Sequence, residues 1–391
     1  MKNLWSKEEA SSFKSDLDLR VYTSNLLGRS DELVLHGGGN TSVKTVVDGE
    51  DILLVKGSGW DLVSIKAEGF APVKLDTLLE MAKLESLSDS GMVSGQKAAM
   101  TDKSAPNPSV EAILHALIPF KYVDHTHADA VVTISNSETG LENIKKVFPN
   151  YMIVPYVMPG FILAHTIYEM AKDLDWSTID GIILHNHGIF TFDDDAKISY
   201  DKMIDAVTHA EKFLEDNALI EIPHIHIDSK CEIKKIQKVI SIEKGYEVSI
   251  NINQSPLAIY YSSQENLKTF ATRGVLTPEH IIRTKRVPLI VENERIDEAL
   301  KKYKDDYIKY FEEFRDAEIC LNPSPNYMII RNSGVVSFGK NKKEADIIND
   351  IIEHTMMAIL RADKLGGYKS ISLKDSFEME YWELEQAKLK K

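Results

Sequence analysis

Two histidines separated by one residue, His125 and His127, are the strongest candidates for shared chemistry. They lie within residues 122–132, where apolar and β-branched side chains predict a buried strand. Side chains at positions i and i+2 of a strand point to the same face, so the two imidazoles are expected to lie together. Neutral imidazole is a common ligand of zinc and related ions. Such a pair taken alone more often makes ordinary hydrogen bonds, and the metal hypothesis therefore depends on the residues around it.

A second His-x-His motif, His185 and His187, ends another predicted buried strand. The same alternation would put both side chains on one face, so either is a candidate third ligand. We prefer His187 because Gly188 beside it allows neighbouring groups to approach closely. Glu111 lies in the first turn of a predicted short helix, where the helix dipole favours a carboxylate. Since that helix leads directly to the strand bearing His125, we also expect Glu111 to reach the metal.

Two glycine-containing segments are candidates for binding an anion. Residues 36–44 contain three consecutive glycines, and residues 56–59 follow a predicted strand and begin with Lys56. Backbone N–H groups beside glycine can face an anion without obstruction by a Cβ atom, although a tight turn explains the glycines of the first segment equally well. The dinucleotide pattern G-x-G-x-x-G fails at Ser42, and no G-x-x-x-x-G-K-[ST] occurs, so a nucleoside triphosphate is not expected.

Length and charge limit the remaining possibilities. A chain of 391 residues suggests two domains, or one large α/β domain with an appendage. A net charge of -14 argues against a nucleic-acid partner and against an anionic membrane surface, because both need a basic footprint. A small anionic substrate needs only a local positive site.

Targeting signals and cysteine content suggest where the protein works. No stretch has the roughly 18 to 20 consecutive apolar residues of a membrane span, and the N-terminus lacks the apolar core of a signal peptide. Cys231 and Cys320 are the only cysteines, which excludes a disulfide framework and a thiolate metal cluster. We therefore expect a cytoplasmic protein without a membrane partner, whose metal is held by nitrogen and oxygen.

The order of these motifs resembles the class II aldolase/adducin family. The matching segments are His-Gly-Gly-Gly-Asn-Thr-Ser at 36–42, Lys-Gly-Ser-Gly at 56–59, Pro-Ser-x-Glu at 108–111, His-x-His at 125–127 and Leu-x-x-His-Gly at 184–188. The sequence is more closely similar to the aldolase half of bifunctional rhamnulose-1-phosphate aldolase/alcohol dehydrogenases, and this likeness continues through residues 277–283 and 380–388. In those proteins a short-chain dehydrogenase follows the aldolase half, and we expect this chain to lack it.

The resemblance implies an α/β fold in two parts. Residues 1–222 are expected to form the catalytic domain, with α/β/α layers and a largely antiparallel central sheet. Residues 223–391 are expected to form a second, related α/β lobe. Assembly of the chain as a homo-oligomer is also expected.

An internal similarity suggests how the two parts are related. Residues 329–338 parallel residues 183–192, with Ser333 at the position of His187. Our hypothesis is that the C-terminal lobe is a degenerate, metal-free repeat, in which Arg331 is free for an anion or an interface. The alternative is two unrelated strand–helix units with similar patterns.

The same resemblance implies a metal-dependent aldolase, which is a carbon–carbon lyase. One divalent ion, with zinc as the first choice, would be held by His125, His127 and His187, and Glu111 could join it in the resting site. The reaction would be reversible cleavage of a ketose 1-phosphate, such as rhamnulose 1-phosphate, into dihydroxyacetone phosphate and an aldehyde. Glu111 would move the proton. The phosphate would contact Gly39, Asn40, Gly57, Ser58 and Ser109.

Two other functions are compatible with these motifs. A sugar-phosphate 4-epimerase of the same fold would use the same metal and related bond-breaking chemistry, but different acid–base residues. A noncatalytic, adducin-like binding protein is the alternative outside catalysis. The presence of the three histidines together with Glu111 argues against a scaffold, which has no need of all four side chains.

Two further groups of polar residues are weaker candidates. One group could reach a phosphate or a neighbouring subunit, although a solvated helix face is the commoner explanation. It consists of His280, Arg283, Lys285 and Arg286. A second group could orient the metal ligands, although ordinary hydrogen bonding in the core would explain each member. It consists of His36, His115 and His209.

Overall fold

The chain forms two compact units, each with its own sheet. The computed structural model describes residues 1–223, 225, 232–292 and 295–390. The first unit contains residues 1–135 and 141–213, and the second contains residues 136–140 and the described residues from 214 onward. Cys320 is a free, partly buried thiol, whereas Cys231 lies outside the described residues. Among the described helices, none is both long enough and apolar enough to cross a membrane.

A mixed seven-stranded sheet forms the centre of the first unit. Its strands are β1 (Asn40–Val47), β2 (Glu50–Lys56), β3 (Phe70–Lys74), β4 (Tyr122–Thr126), β5 (Tyr151–Val154), β6 (Gly181–Leu184) and β7 (Gly188–Asp193). They lie in the order β3-β2-β1-β4-β7-β6-β5, and only the pair β5–β6 is parallel. The predicted α/β class with a largely antiparallel central sheet is thereby confirmed.

The helices of this part of the chain precede β1, lie between later strands, or follow β7. They are α1 (Lys7–Ala10), α2 (Asp16–Gly28), α3 (Leu75–Ala82), α4 (Asp89–Ala99), α5 (Ala112–Leu117), α6 (Asp129–Ser135), α7 (Gly140–Val147), α8 (Phe161–Ala171) and α9 (Ala196–Asn217), with short 3-10 turns at Ala67–Gly69 and Trp176–Thr178. Serine caps fix two of the starts, because the side chains of Ser15 and Ser88 accept hydrogen bonds from the first turns of α2 and α4.

The apolar core of the first unit packs directly against the histidine-bearing strand. Val123 on β4 lies in one buried cluster with Leu114 of α5 and with Phe190 of β7. The Phe190 ring stacks on the imidazole of His125, with 4.1 Å between the ring centroids. Burial of these side chains therefore holds the end of β4 in a rigid, water-poor setting.

A buried ion pair joins α2 to β4. Arg20 Nη2 donates to Asp124 Oδ1, and both side chains are fully buried. Arg20 also donates to the hydroxyl of Thr23 over 2.5 Å, and Asp124 accepts a hydrogen bond of 2.5 Å from Ser199 on α9. The pair thus connects three elements next to the strand that carries His125.

The second unit has a separate four-stranded sheet. Its strands are β8 (Ser249–Asn253), β9 (Leu289–Val291), β10 (Tyr327–Ile330) and β11 (Gly334–Gly339). They lie in the order β8-β11-β10-β9, with β9 and β10 parallel and the other pairs antiparallel. The strands β4-β7-β6-β5 of the first unit have the same sequential order and the same pattern of directions.

Helices of the second unit cover this sheet. They are α10 (Ile233–Lys244), α11 (Pro256–Ser262), α12 (Leu267–Ala271), α13 (Ile281–Thr284), α14 (Ile296–Phe314), α15 (Lys342–Lys364), α16 (Leu373–Tyr381) and α17 (Glu383–Gln386), with 3-10 turns at Pro278–His280 and Ala387–Lys390. Ile348, Ile352 and Met356 repeat at helical spacing on α15 and are buried in one cluster with Val335 of β11.

Arg331 of the second unit is already paired. Its Nη1 lies 3.0 Å from Oε1 of Glu292. The expectation that Arg331 would be free for an anion or an interface is therefore wrong, because a carboxylate from the end of β9 neutralises it.

The buried ion pair gives a stability prediction. We expect Arg20→Met to lower the free energy of unfolding by about 3–5 kcal/mol, because it leaves Asp124 buried without its cation. The matched control is Lys74→Met, which removes a half-exposed pair with 2.7 Å between Lys74 Nζ and Glu50 Oε1. The control should cost less than about 1 kcal/mol. Urea denaturation measures both, and equal losses would contradict the importance given to the buried pair.

Candidate metal centre

The end of β4 brings two imidazoles to one point. His125 lies on the strand and His127 follows it directly. Their Nε2 atoms are 3.0 Å apart, and their ring centroids are 4.8 Å apart. The alternation of side chains along an extended backbone accounts for this placement, since one residue separates the two histidines.

His187 reaches the same point from a turn rather than from a strand. β6 ends at Leu184 and β7 begins at Gly188, and Asn186 between them has a left-handed φ of 60°. The expectation that His185 and His187 share one face of a strand is therefore wrong, because the turn interrupts the alternation. The His185 imidazole instead lies against the side chain of Asn186, with 2.6 Å between Nδ1 and Oδ1.

Three imidazoles thus form one compact donor set. One ring nitrogen from each of His125, His127 and His187 lies within 4.8 Å of the other two. Zinc–nitrogen bonds are about 2.0–2.1 Å long, so ligand nitrogens around one tetrahedral ion are about 3.3 Å apart. The chemistry and spacing of this set fit a divalent metal ion.

Hydrogen bonding and burial leave His125 ready to donate a lone pair. Its Nδ1 lies 3.0 Å from the carbonyl oxygen of Ile189, which can only accept, so Nδ1 carries the proton. Burial holds the pKa of His125 well below its usual value. The negative charge of Glu111 opposes this effect, and the neighbouring His127 and His187 reinforce it. The ring is therefore neutral, and its unprotonated Nε2 faces the cluster.

Two glycines allow the backbone to approach these rings. A Cβ atom added to Gly188 would lie 2.4 Å from the carbonyl oxygen of Thr126 and 3.0 Å from Cε1 of His125. A Cβ atom added to Gly38 would lie 3.3 Å from Nδ1 of His127. Any side chain at Gly188 would therefore displace either the strand or an imidazole.

Glu111 faces the cluster from the start of α5. The helix begins at Ala112, so Glu111 precedes the first turn in which it was expected. Its carboxylate is buried, with Oε2 lying 3.5 Å from Nε2 of His125 and Oε1 lying 3.8 Å from Nε2 of His187. Oε2 accepts a hydrogen bond of 2.6 Å from Asn40, whereas Oε1 has no hydrogen-bond partner within the described part of the chain. A buried, unpartnered carboxylate oxygen beside three nitrogen donors also fits a bound cation.

The charge of Glu111 is set by these neighbours. Burial raises the pKa of its carboxyl, whereas positive charge on His125 or His187 and the hydrogen bond from Asn40 lower it, and the balance is a pKa of about 2. Glu111 is therefore ionised near neutral pH, at a site from which water is largely excluded.

A chain of hydrogen bonds orients Glu111 through His115, one of the three histidines expected as possible supports of the metal ligands, and through Asn40 and Ser42, for which the sequence predicted no such role. His115 is fully buried, and its Nδ1 lies 2.8 Å from Oγ of Ser42 while its Nε2 bonds to Oδ1 of Asn40. Because the amide oxygen only accepts, Nε2 carries the proton and Nδ1 accepts from the hydroxyl. Burial lowers the pKa of His115 to about 3, so the ring stays neutral. Asn40 is thereby fixed with its amino group toward Glu111.

The sequence did contain a signal for this chain. Glu111 and His115 are four residues apart at the start of a helix, which places them on the same side. Asn40 and Ser42 are two residues apart on a strand, which also places them on one face. Only the packing of α5 against β1 joins the two pairs.

The glycine segments and Ser109 lie together at the start of β1 and the end of β2. Several of their backbone N–H groups are already hydrogen-bonded to carbonyl oxygens of the chain. The N–H groups of Gly57, Ser58 and Ser109 donate to carbonyl oxygens over 2.8, 2.8 and 3.0 Å. Their acceptors are Gly69, Asn107 and Lys56, respectively. These three N–H groups are therefore engaged and do not form the open cradle for an anion that the glycines suggested.

Two hydroxyl groups and one ammonium group also lie at this edge of the sheet. Ser58 has no hydrogen-bond partner for its side chain within the described ranges. Ser109 Oγ accepts a hydrogen bond of 3.3 Å from the N–H of Glu111, which leaves its own proton to be donated. Lys56 is buried nearby, with its Nζ 3.4 Å from the carbonyl oxygen of Gly37.

Gly39 and Asn40 have other contacts. Gly39 has a φ of 65°, and a Cβ atom there would lie 2.7 Å from the carbonyl oxygen of His125. The side chain of Asn40 is occupied by His115 and Glu111. Both residues thus support the cluster directly.

The chain belongs to the class II aldolase/adducin family. The family model described as Class II Aldolase and Adducin N-terminal domain matches residues 19–214, which is just over half of the chain. A second family model, Aldolase class II, second domain, matches residues 228–389. The matched region of the first model contains the three histidines and Glu111.

Individual relatives share different parts of the chain. A solved N-terminal class II aldolase domain of a conserved protein from Thermoplasma acidophilum is 42% identical with a TM-score of 0.50, over 55% of this chain and 99% of that one. The uncharacterized oxidoreductase YuxG of Bacillus subtilis (strain 168) is 28% identical over 422 residues, which cover 100% of this chain. The chain spans only 60% of the length of that curated relative. L-fuculose-1-phosphate aldolase from Thermus thermophilus is 14% identical with a TM-score of 0.33, over 54% of this chain and 96% of that one.

The donor set predicts the metal affinity of variants. Replacing His125, His127 or His187 by alanine should weaken zinc binding by about 100-fold or more, because each supplies one donor. His165→Ala is the matched control, since this partly buried histidine of the first unit lies outside the cluster. Isothermal titration of the metal-free proteins with zinc chloride measures the affinities. Wild-type affinity in all three cluster variants would exclude the site.

The neutral, buried His115 predicts a pH dependence of stability. Its pKa falls from 6.5 to about 3 on folding, so the unfolded chain binds this proton more readily and acid destabilises the folded state within that window. The loss from this group should reach about 1.4 kcal/mol per pH unit. The His115→Gln variant should lack this contribution to the acid-dependent loss of unfolding free energy. Urea denaturation of both metal-free proteins at several pH values within the window measures it, and parallel curves would contradict the assignment.

Proposed function

We propose that the protein is a metal-dependent aldolase that reversibly cleaves a ketose 1-phosphate. The observation that carries the proposal is the buried Glu111 carboxylate beside the histidine cluster: Oε2 accepts from Asn40 and lies 3.5 Å from Nε2 of His125, and the unpartnered Oε1 lies 3.8 Å from Nε2 of His187. Proton transfer beside a carbonyl needs a fixed base next to an electrophile. Membership of the class II aldolase family supports the same chemistry. Rhamnulose 1-phosphate is the first substrate to test, with dihydroxyacetone phosphate and lactaldehyde as products.

His125, His127 and His187 are proposed to hold the divalent ion, with zinc as the first choice. A bound ion supplies Lewis acidity, which polarises the carbonyl group of the substrate. Three protein donors leave one coordination position open, as in catalytic rather than structural zinc sites. Burial keeps the pKa of His125 low, so this ligand remains neutral without competition from protons.

Glu111 is proposed to take the proton in the synthetic direction and to return it in cleavage. A pKa of about 2 is low for a base at neutral pH. Positive charge at the cluster lowers the pKa of the neighbouring carboxyl, so movement of the carboxylate away from the cluster raises it. Substrate binding is proposed to cause this movement, while the Asn40 amide keeps the carboxylate near the reacting carbon.

The phosphate of the substrate is proposed to bind at the edge formed by Ser58 and Ser109. Their hydroxyl groups can donate where the backbone N–H groups cannot, and the Lys56 ammonium supplies positive charge nearby. In this proposal Gly39, Asn40 and Gly57 do not contact the phosphate directly but hold the neighbouring backbone and Glu111 in place.

We also propose that residues 223–391 form a degenerate, metal-free repeat of part of the catalytic domain, residues 1–222. The shared strand order supports the proposal. Asn186, in the turn that joins β6 to β7, has a φ of 60°. Asn332, in the turn that joins β10 to β11, has a φ of 57°. Ser333 follows the second of these asparagines, where His187 follows the first, so the repeat has no metal ligand at that position.

A matching hydrogen bond follows in each unit and supports the same proposal. Thr191 Oγ1 donates to the carbonyl oxygen of Ser199 over 3.1 Å. Ser337 Oγ donates to that of Ala345 over 2.7 Å. Both bonds link the last strand of the hairpin to the first turn of the long helix, at a separation of eight residues.

The aldolase proposal predicts the behaviour of a Glu111 variant. Glu111→Gln should lower kcat for rhamnulose 1-phosphate cleavage by about 10²–10⁴-fold, because the amide cannot move the proton. Zinc affinity should be retained, since the three imidazoles remain. Glu169→Gln, on the exposed face of α8, is the matched control and should leave kcat unchanged. A coupled assay for dihydroxyacetone phosphate measures the reaction.

Product analysis separates this proposal from its competitors. Formation of an epimeric sugar phosphate without dihydroxyacetone phosphate would identify a 4-epimerase instead. Stoichiometric zinc binding without turnover of a panel of ketose 1-phosphates would overturn the aldolase proposal and favour a binding protein.

A further inference from the structure

A pocket in the second unit is lined by a cation that has no ion pair among the described residues. Its volume is about 600 Å³, within the range of about 300–1,000 Å³ typical of small-molecule sites. Arg286 lines the pocket, its Nε is buried without a hydrogen-bond partner, and its guanidinium has no ion pair with any described residue. The hydroxyl of Tyr310, on the same wall, is also buried and unpartnered among the described residues. Leaving such groups unpaired costs free energy, so both indicate a ligand.

The backbone before Arg286 is strained. Lys285 has a φ of 59° and a ψ of 173°, a combination that only glycine adopts without cost. Its ammonium group is buried, 3.3 Å from Glu380 Oε1 and 3.8 Å from the ring centroid of Tyr307. Tyr307 donates to the same carboxylate oxygen over 2.8 Å. The solvated helix face expected for this basic group is therefore wrong, because the carboxylate draws Lys285 into the core.

This arrangement separates two neighbouring cations. Lys285 takes the buried carboxylate, and Arg286 is left to line the pocket. Burial lowers the pKa of Arg286, against the opposing effect of Tyr310 and Glu380, so an anion in the pocket would stabilise its charge. Backbone strain of this kind tends to occur at functional sites, where the surrounding structure holds it in place.

The rest of the wall is apolar and aromatic, and its rim carries the cations of Lys268, Lys302 and Lys309 together with the carboxylates of Asp306 and Glu313. Pro288, Tyr303 and Tyr307 contribute flat surfaces. Lys302 at the rim has no ion pair with any described residue, whereas Lys309 pairs with an aspartate over 3.6 Å. A ligand that fits this lining has a negative head and a flat or apolar body.

We propose that this pocket binds a small organic anion, whose oxyanion group contacts Arg286 and Tyr310 while its apolar body lies against Tyr303 and Pro288. A phosphate monoester and a carboxylate share this chemistry. The site is distinct from the histidine cluster, since its lining belongs wholly to the second unit.

Isothermal titration of the full-length protein with phenyl phosphate, benzoate and the neutral control phenol tests the proposal. Arg286→Gln should weaken binding of the preferred anion by about 10- to 100-fold, the loss expected for a charge-assisted hydrogen bond, and Tyr310→Phe should weaken it less. Arg315→Gln is the matched control and should bind as the wild type does. This exposed arginine follows α14, the helix that carries Tyr310, and it pairs with Glu312 over 2.7 Å. Preference for phenyl phosphate identifies a phosphate site, and preference for benzoate identifies a carboxylate site.

The same titration in Ser109→Ala protein separates the pocket from the proposed phosphate edge of the first unit. Binding that persists in Ser109→Ala and is lost in Arg286→Gln supports the pocket. Binding lost in Ser109→Ala and unchanged in Arg286→Gln would overturn it, as would binding of neither anion.

Thermal unfolding provides a second readout that a structural role would not reproduce. Without ligand, Arg286→Gln should leave Tm unchanged or raise it by about 2–4 °C, because the substitution removes a buried charge that has no ion pair in the described part of the chain. Phenyl phosphate or benzoate should raise Tm for the wild type but not for the variant. A lower Tm in the variant together with unchanged anion binding would assign Arg286 to the fold and overturn the proposal.

Discussion

The register of β4 against its two neighbours fixes the candidate metal centre. Antiparallel pairing with β1 places Asn40 opposite His125, and antiparallel pairing with β7 places Ile189 opposite Thr126. The first pairing brings the amide that holds the carboxylate, and the second brings the turn that bears His187. A shift of one residue in either pairing would turn these side chains to the opposite face of the sheet. The donor set and the amide that holds Glu111 therefore depend on the backbone pairing of one central strand.

Buried charge near that strand is compensated to different degrees. The Arg20–Asp124 pair is closed by its own ion pair and by the hydroxyls of Thr23 and Ser199, although Arg20 Nε has no hydrogen-bond partner among the described residues. Glu111 is compensated only in part, with one carboxylate oxygen left without a hydrogen bond in the described structure. In the second unit, Arg286 is one of several buried charged groups with an atom that has no hydrogen-bond partner among the described residues, and it lines a pocket. Incomplete compensation at these two places is consistent with sites that are completed by a ligand.

The sequence predicted what local periodicity and motif order determine. The α/β class, the antiparallel sheet and the neighbouring positions of His125 and His127 follow from alternation and from the family motifs. The turn at Asn186 was missed because a tight turn between two apolar strands has the same local pattern as one continuous strand. The engagement of the N–H group of Gly57 and the link from His115 to Asn40 depend on which distant segments pack together, and no local pattern contains that information.

Hydrogen exchange at the hydroxymethyl carbon of dihydroxyacetone phosphate tests the central claim most directly, because it isolates proton transfer by Glu111 from carbon–carbon bond cleavage. In deuterium oxide without any aldehyde, the zinc-loaded wild-type protein is predicted to exchange one hydrogen at that carbon, which proton NMR follows. Zinc-loaded Glu111→Gln protein is predicted to show only background exchange. Absence of exchange with the wild type, or equal exchange with both proteins, would contradict the account.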